Sequence, residues 1–349
     1  MTPELQALAA HVVPDAVLVE ARALGAGLIN RSFVATYRSA RGLRRYVHQR
    51  INPDVFRDVP ALLRNLAIVV THVRERDPSL VPHLVTAPDG ALAWRAPDGA
   101  WWRTMHYVED ASPIAHDASL EQCYRAAHAF GRFARATADL ATPRLAETIP
   151  GFHDTPARLA AFDAAREADR FGRAAACADV LERLGAHRAR AARITDALRS
   201  GILPVRVAHN DAKLDNVLLG PTRACVIDLD TTMPGTPVFD FGDLARSAAT
   251  RAREDEPDIA TVTLDLERYR ALREGFCDGA GDALGAAERA AFAAAAQTMA
   301  YEQALRFATD HLAGDPYYRI AYPGHNAARA RVQLALFEAL LANERSLDQ

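Results

Sequence analysis

The sequence predicts an α+β protein with two lobes, a small antiparallel β-sheet lobe over residues 1–108 and a larger, mainly helical lobe over 109–349. Three observations predict this class. β-Branched and aromatic runs separated by turns fill most of the first part, with one helical stretch between them. From Asp117 onward, apolar residues recur at three- and four-residue spacing, which is typical of amphipathic helices. A chain of 349 residues is also long for a single hydrophobic core.

A polar segment between short strands carries the candidate chemistry. Short apolar runs predict strands at 205–208, 217–219 and 224–227. The loops between and after them carry four polar side chains, Asp211, Lys213, Asn216 and Asp228. In kinases, an aspartate that accepts the proton of the substrate hydroxyl is followed by an asparagine and a second aspartate, and the last two hold Mg²⁺. We therefore predict Asp211 as the catalytic base and Asn216 and Asp228 as ligands of Mg²⁺.

Lys213 is the only lysine among the 41 basic residues of the chain, and all the others are arginines. A lysine ammonium is a compact point charge with three donors, whereas the arginine guanidinium is a planar fork. The two are therefore not interchangeable beside a transferring phosphoryl group. A polar β-turn with a chance spacing is the alternative explanation. The single ammonium, two residues after Asp211, favours a catalytic role for Lys213 over that alternative.

Composition argues against several classes of function. A net charge of −3, without a basic stripe interleaved with aromatic residues, argues against nucleic-acid binding. No uncharged apolar run approaches the roughly 18 residues of a membrane span, and no signal peptide is evident. The four cysteines lie far apart without a Cys-x-x-Cys pair, which indicates buried free thiols in a reducing compartment. We expect a cytoplasmic protein without a nucleic-acid or membrane partner.

A glycine-containing turn joins the first two predicted strands, 17–23 and 32–37. Asn30 stands where a dinucleotide-binding fingerprint has its third glycine, and a strand follows instead of a helix. A strand, glycine turn and second strand cover the nucleotide phosphates in kinases. We therefore assign four residues to nucleotide binding: Gly25, Gly27, Asn30 and Ser32.

The next predicted strand, 44–51, is expected to carry the cation that contacts the α- and β-phosphates. It contains no lysine, so Arg50 is the candidate, with Gln49 as the alternative if the register differs by one residue. A solvent-facing arginine near a strand end is the other explanation. Kinases pair this cation with a helical glutamate, but the helix predicted at 58–76 has no glutamate before Glu75. After the last hairpin, backbone groups of His106 to Val108 are expected to meet the adenine.

The second lobe is expected to be helical. Helices are predicted at 117–140, twice within 157–199, and at about 243–250, 263–277, 285–312 and 325–346. Asp240 and Asp243 are expected to cap and brace the helix near 243–250, because the N-terminal dipole of a helix favours acids. On the long helix, one face carries Glu302, Arg306 and Asp310. That spacing fits either a surface salt-bridge ladder or the wall of a polyol pocket.

Together these residues resemble the aminoglycoside phosphotransferase-like small-molecule kinases, and most closely the N-acetylhexosamine 1-kinases. The resemblance extends over YVHQRIN at 46–52, ETIPGFHDT at 147–155, VIDLDTTMPG at 226–235, FDFGD at 239–243 and RFATDHLAGD at 306–315. It implies a protein-kinase-like bilobal fold that binds ATP and Mg²⁺ between its lobes and phosphorylates the anomeric hydroxyl of a sugar. It also implies that Lys213 contacts the γ-phosphate. The residues it suggests for the sugar pocket are Asp230, Glu302 and Arg306.

Two other functions stay open. The first is another small-molecule kinase of the same fold, for aminoglycosides, choline or homoserine. A polycationic antibiotic would need an acidic pocket, which the run Glu254-Asp255-Glu256 could supply. The second is an inactive nucleotide-binding regulator. The missing lysine in the first lobe favours it, whereas the intact Asp, Lys, Asn and Asp set at 211–228 opposes it.

Overall fold

The computed structural model describes residues 3–24 and 30–347. Two residues assigned to nucleotide binding, Gly25 and Gly27, lie outside the described residues. The strands are β1 (Val17–Ala23), β2 (Arg31–Ser39), β3 (Gly42–Arg50), β4 (Ala93–Arg95), β5 (Trp101–His106), β6 (Ser112–Pro113), β7 (Arg206–Ala208), β8 (Val217–Leu219), β9 (Ala224–Val226) and β10 (Met233–Gly235). The helices are α1 (Pro3–Val12), α2 (Val59–Arg76), α3 (Leu120–Ala136), α4 (Thr155–Ala168), α5 (Ala178–Ala186), α6 (Arg193–Arg199), α7 (Pro237–Ala248), α8 (Leu266–Ala280), α9 (Ala286–Ala290), α10 (Phe292–Leu312), α11 (His325–Ala342) and α12 (Glu344–Leu347).

The first five strands form one antiparallel sheet in the order β1-β2-β3-β5-β4. Its register places Gln49 of β3 between Ser32 of β2 and Arg103 of β5. Because successive side chains of a strand point to opposite faces, Gln49 and Arg50 lie on opposite faces of the sheet. Trp102, the cross-strand partner of Arg50, is buried in a cluster with apolar residues of α1. The face that carries Arg50 is therefore the one that α1 covers.

Helix α2 begins where the sequence predicts it. The Asp58 carboxylate accepts a hydrogen bond from Ala61 N at 2.8 Å, which caps the helix, and Pro60 lies in the first turn, where its fixed φ is favourable. Farther along the helix, the Asn65 side chain accepts from Ala146 N at 2.9 Å and donates to Ala146 O at 2.8 Å. These two bonds attach α2 to the loop that precedes α4.

The helical part of the chain contains one large core, centred on α10 and on the pair α3 and α8. The backbones of α3 and α8 approach so closely that a Cβ atom at Gly131 or Gly275 would overlap a carbonyl oxygen of the other helix. Only glycine fits at these two positions. Phe241 of α7 stacks on Phe292 of α10, with ring centroids 4.0 Å apart. This packing holds α7, which carries residues of the candidate site, firmly in the core.

The predicted α+β class is confirmed, since an antiparallel sheet precedes a mainly helical region. The boundary between residues 108 and 109 stays a prediction. Three expectations about helices are wrong. The segment predicted as one helix at about 285–312 is two helices, α9 and α10, with Ala291 between them. Residues 155–199 contain three helices, α4 to α6, rather than two. The helix expected near 243–250 begins at Pro237, because Thr236 caps it by accepting from Val238 N and proline suits the first helical position.

All four cysteines are free thiols, as predicted, and Cys123, Cys177 and Cys225 are buried while Cys277 is half-buried. Within residues 3–24 and 30–347, no helix is both long enough and apolar enough to cross a membrane.

Candidate active site

The loop after β7 has a backbone that its own polar side chains hold in place. Asn210 adopts a left-handed conformation with φ of 63°, which asparagine tolerates better than most residues. Its Nδ2 atom donates to Thr231 O at 3.0 Å and to Ala208 O at 3.2 Å. Gly235 of β10 lies so close that a Cβ atom there would overlap Asn210 Oδ1. Strand β10, paired with β7, thus fixes the start of the loop.

Asp240 of α7 holds the backbone of the loop after β7. Its buried carboxylate accepts hydrogen bonds from the backbone nitrogens of His209 at 2.9 Å and Asn210 at 2.7 Å. Burial raises the pKa of Asp240, and the two N–H donors act against that shift. The sequence predicted a helix cap for Asp240, and that prediction is wrong. Asp240 lies inside α7, one turn after the cap at Thr236, and its side chain binds the loop because α7 packs directly against it. Asp243 does brace α7, through Arg246 at 2.7 Å.

Asp211, Lys213 and Asn216 converge at the tip of this loop. Asn216 Nδ2 donates to the Asp211 carboxylate at 2.9 Å, and Lys213 Nζ lies 3.1 Å from the same oxygen, Oδ2. The side chains of Asp211 and Lys213 each keep 26% of their surface exposed, so a ligand can reach them. Burial alone would raise the pKa of Asp211, but the charge of Lys213 and the hydrogen bonds lower it below its ordinary value.

Asp228 joins this group through the β8 and β9 hairpin. Strand β8 starts directly after Asn216, β9 runs back beside it, and Ile227 N donates to Asn216 O at 2.9 Å. Asp228 has φ of 59° and an exposed side chain. The surrounding protein reduces the hydration of the Asp228 carboxylate. This loss of hydration, together with the nearby carboxylates of Asp230 and Asp211, raises the pKa of Asp228 to about 6. An acid that its neighbours destabilise in the charged form is a suitable place for a cation.

Asp230 is a buried residue and does not line an open pocket. Its side chain is 3% exposed, and its carboxylate accepts hydrogen bonds from Arg103 and, at 2.6 Å, from Asn30 Nδ2. Arg103 also donates to Gln49 Oε1, and Gln49 in turn donates to Ser32 Oγ at 3.0 Å. Two of the residues assigned to nucleotide binding, Asn30 and Ser32, therefore meet Asp230 in one network.

Arg50 lies apart from that network. Its guanidinium is 2.9 Å from Asp98 Oδ2, on the face of the sheet that α1 covers. Of the two β3 residues considered as the phosphate contact, Gln49 is the one on the face of the sheet that contacts Asp230. The cation next to it is Arg103, on the neighbouring strand β5.

In the segment expected to meet adenine, His106 to Val108, two backbone N–H groups already donate within the protein. His106 N donates to His83 O at 2.9 Å, and Tyr107 N donates to Arg45 O at 3.1 Å. Val108 follows them in the crossing between the two parts of the chain and is 9% exposed. Carbonyl oxygens and the groups around Val108 are thus what this segment offers to a base.

Glu302 of α10 is fully buried below the catalytic loop. One of its oxygens lies 2.9 Å from His153 Nδ1, and the other accepts from Thr155 Oγ1 at 2.6 Å. His153 Nε2 lies 2.8 Å from Asn210 O. Because both ring nitrogens face acceptors, His153 must carry both protons. Burial would lower the pKa of His153, but Glu302 outweighs burial and raises it.

Arg306 lies one turn farther along α10, between the rings of Phe152 and Tyr318 at 5.2 and 5.7 Å from their centroids. Asp310 is engaged elsewhere, since it accepts from the backbone nitrogens of Tyr317 and Tyr318, both at 2.9 Å. Glu302, Arg306 and Asp310 therefore do not form a salt-bridge ladder. Each has its own set of partners.

Three residues of this site were missed by the sequence analysis: Arg103, His153 and Asn210. Arg103 is one of many arginines, and nothing near it in the sequence distinguishes it. His153 and Asn210 both lie inside stretches that were singled out, in ETIPGFHDT and in the catalytic loop. The available signal was that both side chains can donate and accept hydrogen bonds and lie within stretches already assigned to the site.

Comparison with known proteins gives the class of this site. Residues 20–276, well over half of the chain, match the phosphotransferase enzyme family. The chain belongs to this family. Its fold is similar to that of an aminoglycoside phosphotransferase from Alicyclobacillus acidocaldarius, with 19% identity, a TM-score of 0.64, and coverage of 100% of this chain and 96% of the other. The predicted kinship with aminoglycoside phosphotransferase-like enzymes is thus confirmed at the level of the family.

Two further solved structures share the fold of this phosphotransferase. A microcompartment-associated aminopropanol kinase is 16% identical, with a TM-score of 0.60 and 97% of both chains covered. An amicoumacin kinase in complex with AMP-PNP, Ca²⁺ and Ami is 13% identical, with a TM-score of 0.59 and coverage of 95% of this chain and 92% of the other. At these identities the likeness establishes the protein-kinase-like fold and leaves the acceptor open.

Proposed function

We propose that this phosphotransferase is an ATP-dependent kinase that phosphorylates the anomeric hydroxyl of a sugar, an N-acetylhexosamine. One observation carries the proposal: the Asp211 carboxylate lies 3.1 Å from Lys213 Nζ and 2.9 Å from Asn216 Nδ2, at an exposed loop tip next to Asp228. Family membership supports the reaction class. The choice of an N-acetylhexosamine rests on the sequence resemblance over 46–52, 147–155 and 226–235.

The residues present fit a magnesium ion. Within the described parts of the chain, no three His, Cys, Asp or Glu side chains are grouped as metal ligands. The candidate ligands are one amide and one carboxylate. Asn216 uses its nitrogen for Asp211, which leaves the amide oxygen for a metal ion. Asp228 accepts no hydrogen bond from any described residue, and oxygen donors of this kind suit Mg²⁺. Bound there with the phosphates, Mg²⁺ would offset charge on the phosphate oxygens.

Asp211 would orient the sugar hydroxyl and accept its proton. Its lowered pKa makes it a weak base. An anomeric hydroxyl is more acidic than an ordinary alcohol, so a weak carboxylate base suits this acceptor better than it suits most. Lys213 is held beside Asp211, and its pKa is raised, because three carboxylates together outweigh the effect of burial. A fully protonated ammonium there would contact the γ-phosphate.

The nucleotide would lie between the sheet and this loop. Its phosphates would be covered by the residues assigned to nucleotide binding, which are Asn30 directly before β2 and Ser32 near its start, with Gly25 and Gly27 from outside the described residues. The adenine would lie near His106 and Val108, where the chain crosses from the sheet to the helices. The complex of the amicoumacin kinase with AMP-PNP and Ca²⁺ supports the use of ATP and a divalent metal in this fold.

Charge near the loop supports a sugar over a polycationic aminoglycoside. Two of the three acids in the run that could have attracted a polycation are already paired, since Glu254 lies 3.0 Å from Arg329 and Asp255 lies 3.2 Å from Arg253. Arg306, next to the buried Glu302, has no acidic group within ion-pair distance among the described residues. A polycation near Arg306 would meet a like charge. Glu302 and Asp230, with both their oxygens engaged, would support the pocket rather than contact the sugar.

The proposal is tested with a panel of acceptors, ATP and MgCl₂, with products read by phosphorus NMR. The panel contains N-acetylglucosamine, N-acetylgalactosamine, glucose, an aminoglycoside, ethanolamine, choline and homoserine. The matched control is methyl N-acetylglucosaminide, whose anomeric oxygen is blocked. We expect a sugar 1-phosphate from at least one N-acetylhexosamine and no product from the blocked sugar. Phosphorylation of the blocked sugar, or of the amino compounds alone, would contradict the proposal.

A further inference from the structure

The face of the sheet opposite α1 carries a buried arginine that, among the described residues, makes no hydrogen bond with the loop after β7. Arg103 of β5 is 2% exposed. Its Nε and Nη2 atoms donate to Gln49 Oε1 at 2.9 and 2.7 Å, and its Nη1 atom donates to the Asp230 carboxylate. All of its polar contacts thus run between the sheet and the loop after β9.

Asp230 collects contacts from several strand ends of the sheet. Its second oxygen accepts from Asn30 Nδ2 at 2.6 Å, directly before β2, and Asn30 Oδ1 accepts from Asn52 N at 3.0 Å, just after β3. With Arg103 from β5, a single carboxylate joins three strands of the sheet. Asp230 follows Asp228, the candidate metal ligand, by only two residues. The network therefore connects the metal-binding loop to the strands beside the nucleotide.

We propose that Arg103 is a positioning residue, which through Asp230 fixes the loop of Asp228 relative to the nucleotide-covering sheet. The inference rests on the proposed function. Kinases make this kind of connection with a strand lysine and a helical glutamate. Here β3 has no lysine, and α2 has no glutamate before Glu75 in its last turn. The equivalent helix α2 uses Asn65 to bind the backbone of Ala146 instead. An arginine on β5 and an aspartate from the catalytic region take over the connection.

Stability alone does not account for such a pair. Taking both charges out of water costs more than it returns in many proteins, and well-packed neutral residues often serve as well or better. The Arg103 and Asp230 side chains are 2% and 3% exposed, so the cost is close to its maximum here. A planar guanidinium bound to two partners at once does, however, fix direction as well as distance. The candidate metal ligand Asp228 and the strands beside the nucleotide need such a fixed relative orientation.

The test removes both charges together. Arg103→Met alone would leave Asp230 charged and unpaired, and the protein could then unfold for that reason. The double variant R103M/D230N avoids this problem. The control is R331M/D179N, which removes a pair of the same residue types between α11 and α5, with contacts of 2.8 Å, far along the chain from the loop. Calorimetry measures the affinity for AMP-PNP with MgCl₂, steady-state assays give kcat and KM for ATP, and thermal unfolding reports folding.

We expect R103M/D230N to fold, to bind Mg-AMP-PNP about 10-fold more weakly or worse, and to lose kcat as well. The control is expected to bind within about twofold of the wild type. Unchanged nucleotide affinity and kcat in the double variant would overturn the inference. If the wild type itself bound no nucleotide, the proposed function would fail instead.

A second variant covers the case in which the double variant does not fold. Arg103→Lys keeps a charge near Asp230 but has a shorter side chain and a compact ammonium. It cannot reproduce the planar contact in which Nε and Nη2 donate to Gln49 while Nη1 donates to Asp230. We expect R103K to remain folded and to lose several-fold in Mg-AMP-PNP affinity. Wild-type affinity in folded R103K would show that the two-sided contact has no role in positioning.

Discussion

The side-chain amide of Asn216 donates to two atoms of Asp211, the backbone oxygen at 2.7 Å and the carboxylate at 2.9 Å. The loop between them therefore closes on itself, and the five-residue step is what allows one amide to reach both atoms. The candidate base is oriented before any substrate binds, with its other neighbour, Lys213, on the same carboxylate oxygen. A substitution at either Asp211 or Asn216 would therefore disturb the other.

Asp211→Asn is expected to lower kcat by about 100-fold or more, because the group that accepts the proton is lost while the shape is kept. Affinity for Mg-AMP-PNP is expected to stay close to that of the wild type. The control is Asp215→Asn, an exposed acid in the same loop that faces none of these partners. Steady-state kinetics and calorimetry of both variants check the prediction. A D211N protein with near-normal kcat would remove Asp211 from the mechanism.

Lys213 allows a chemical test, because it is the only source of an ε-amine in the chain. Burial would lower its pKa, but Asp211 foremost, with Asp243 and Asp228, raises it above the ordinary value. Amine-reactive reagents attack only the neutral amine. We therefore expect slow labelling of Lys213 at pH 8 in the wild type and faster labelling in D211N, where the main opposing charge is gone. Peptide mass spectrometry against the N-terminal amine as internal reference measures both rates, and equal rates would contradict the electrostatic account.

Asp228 predicts a dependence on pH in the metal-free protein. Its pKa is about 6 in the folded state against 3.8 ordinarily, so the folded state binds more protons than the unfolded state between these values. By linkage, stability falls as pH rises through this range, and above it the charged group opposes folding. We expect Asp228→Asn to raise the free energy of unfolding at pH 7.5 by about 1 kcal/mol or less, since solvent screens the exposed side chain.

The same variant is expected to lose the stabilisation that MgCl₂ with AMP-PNP gives to the wild type. Thermal unfolding at pH 5.5 and 7.5, with and without the metal and nucleotide, separates the two effects. D215N serves again as the control for a general loss of negative charge. Destabilisation of metal-free D228N at pH 7.5 would mean that neither burial nor the neighbouring carboxylates disfavour the charged form of Asp228.

The sequence predicted the parts of the site that depend on short-range order. Asp211, Lys213, Asn216 and Asp228 lie within 18 residues, and the strands between them can join only as hairpins. Their spacing therefore determines most of their geometry. The alternation along β3 also requires Gln49 and Arg50 to face opposite ways. Which of them lies on the face opposite α1 depends on where α1 packs on the sheet, and no local sequence pattern reveals that position.

The long-range contacts were not predictable in this way. Arg103 and Asp230 are 127 positions apart, and His153 and Glu302 are 149 apart. A pairing at such separation depends on how α10 and the sheet pack, which follows from the whole core. The sequence singled out Glu302 as a substrate contact. Its carboxylate is fully buried and both oxygens contact other residues, His153 and Thr155, which the sequence did not reveal.

The pair of Glu302 and His153 predicts an alkaline loss of activity. His153 donates from both nitrogens only while it is protonated, and one of these bonds holds Asn210 O, next to Asp211. Its pKa is raised from 6.5 in the folded state, so the stabilising contribution of its charge is complete below 6.5 and is lost as pH rises through the raised value. The lowered pKa of Glu302 makes its contribution complete above 4.5, with loss only in more acidic solution. The pair is therefore fully formed in the window between 4.5 and 6.5 and weakens on the alkaline side.

Two substitutions at Glu302 separate charge from shape in this pair. E302A removes one member of a buried, hydrogen-bonded pair and leaves a cavity beside His153, so it is expected to destabilise the protein by roughly 3–5 kcal/mol. E302Q keeps the shape, and His153, without the carboxylate, becomes neutral because burial lowers its pKa. A neutral ring can still donate from Nε2 to Asn210 O and accept the glutamine amide at Nδ1. We therefore expect E302Q to keep part of its kcat and to lose the decline that the wild type shows as pH rises above 6.5. The control is H72Q, which removes a histidine from an exposed contact with Asp139 and is expected to keep the wild-type profile. Profiles of kcat against pH for the three proteins check this, and an alkaline decline that persists unchanged in E302Q would show that His153 is not the group that titrates.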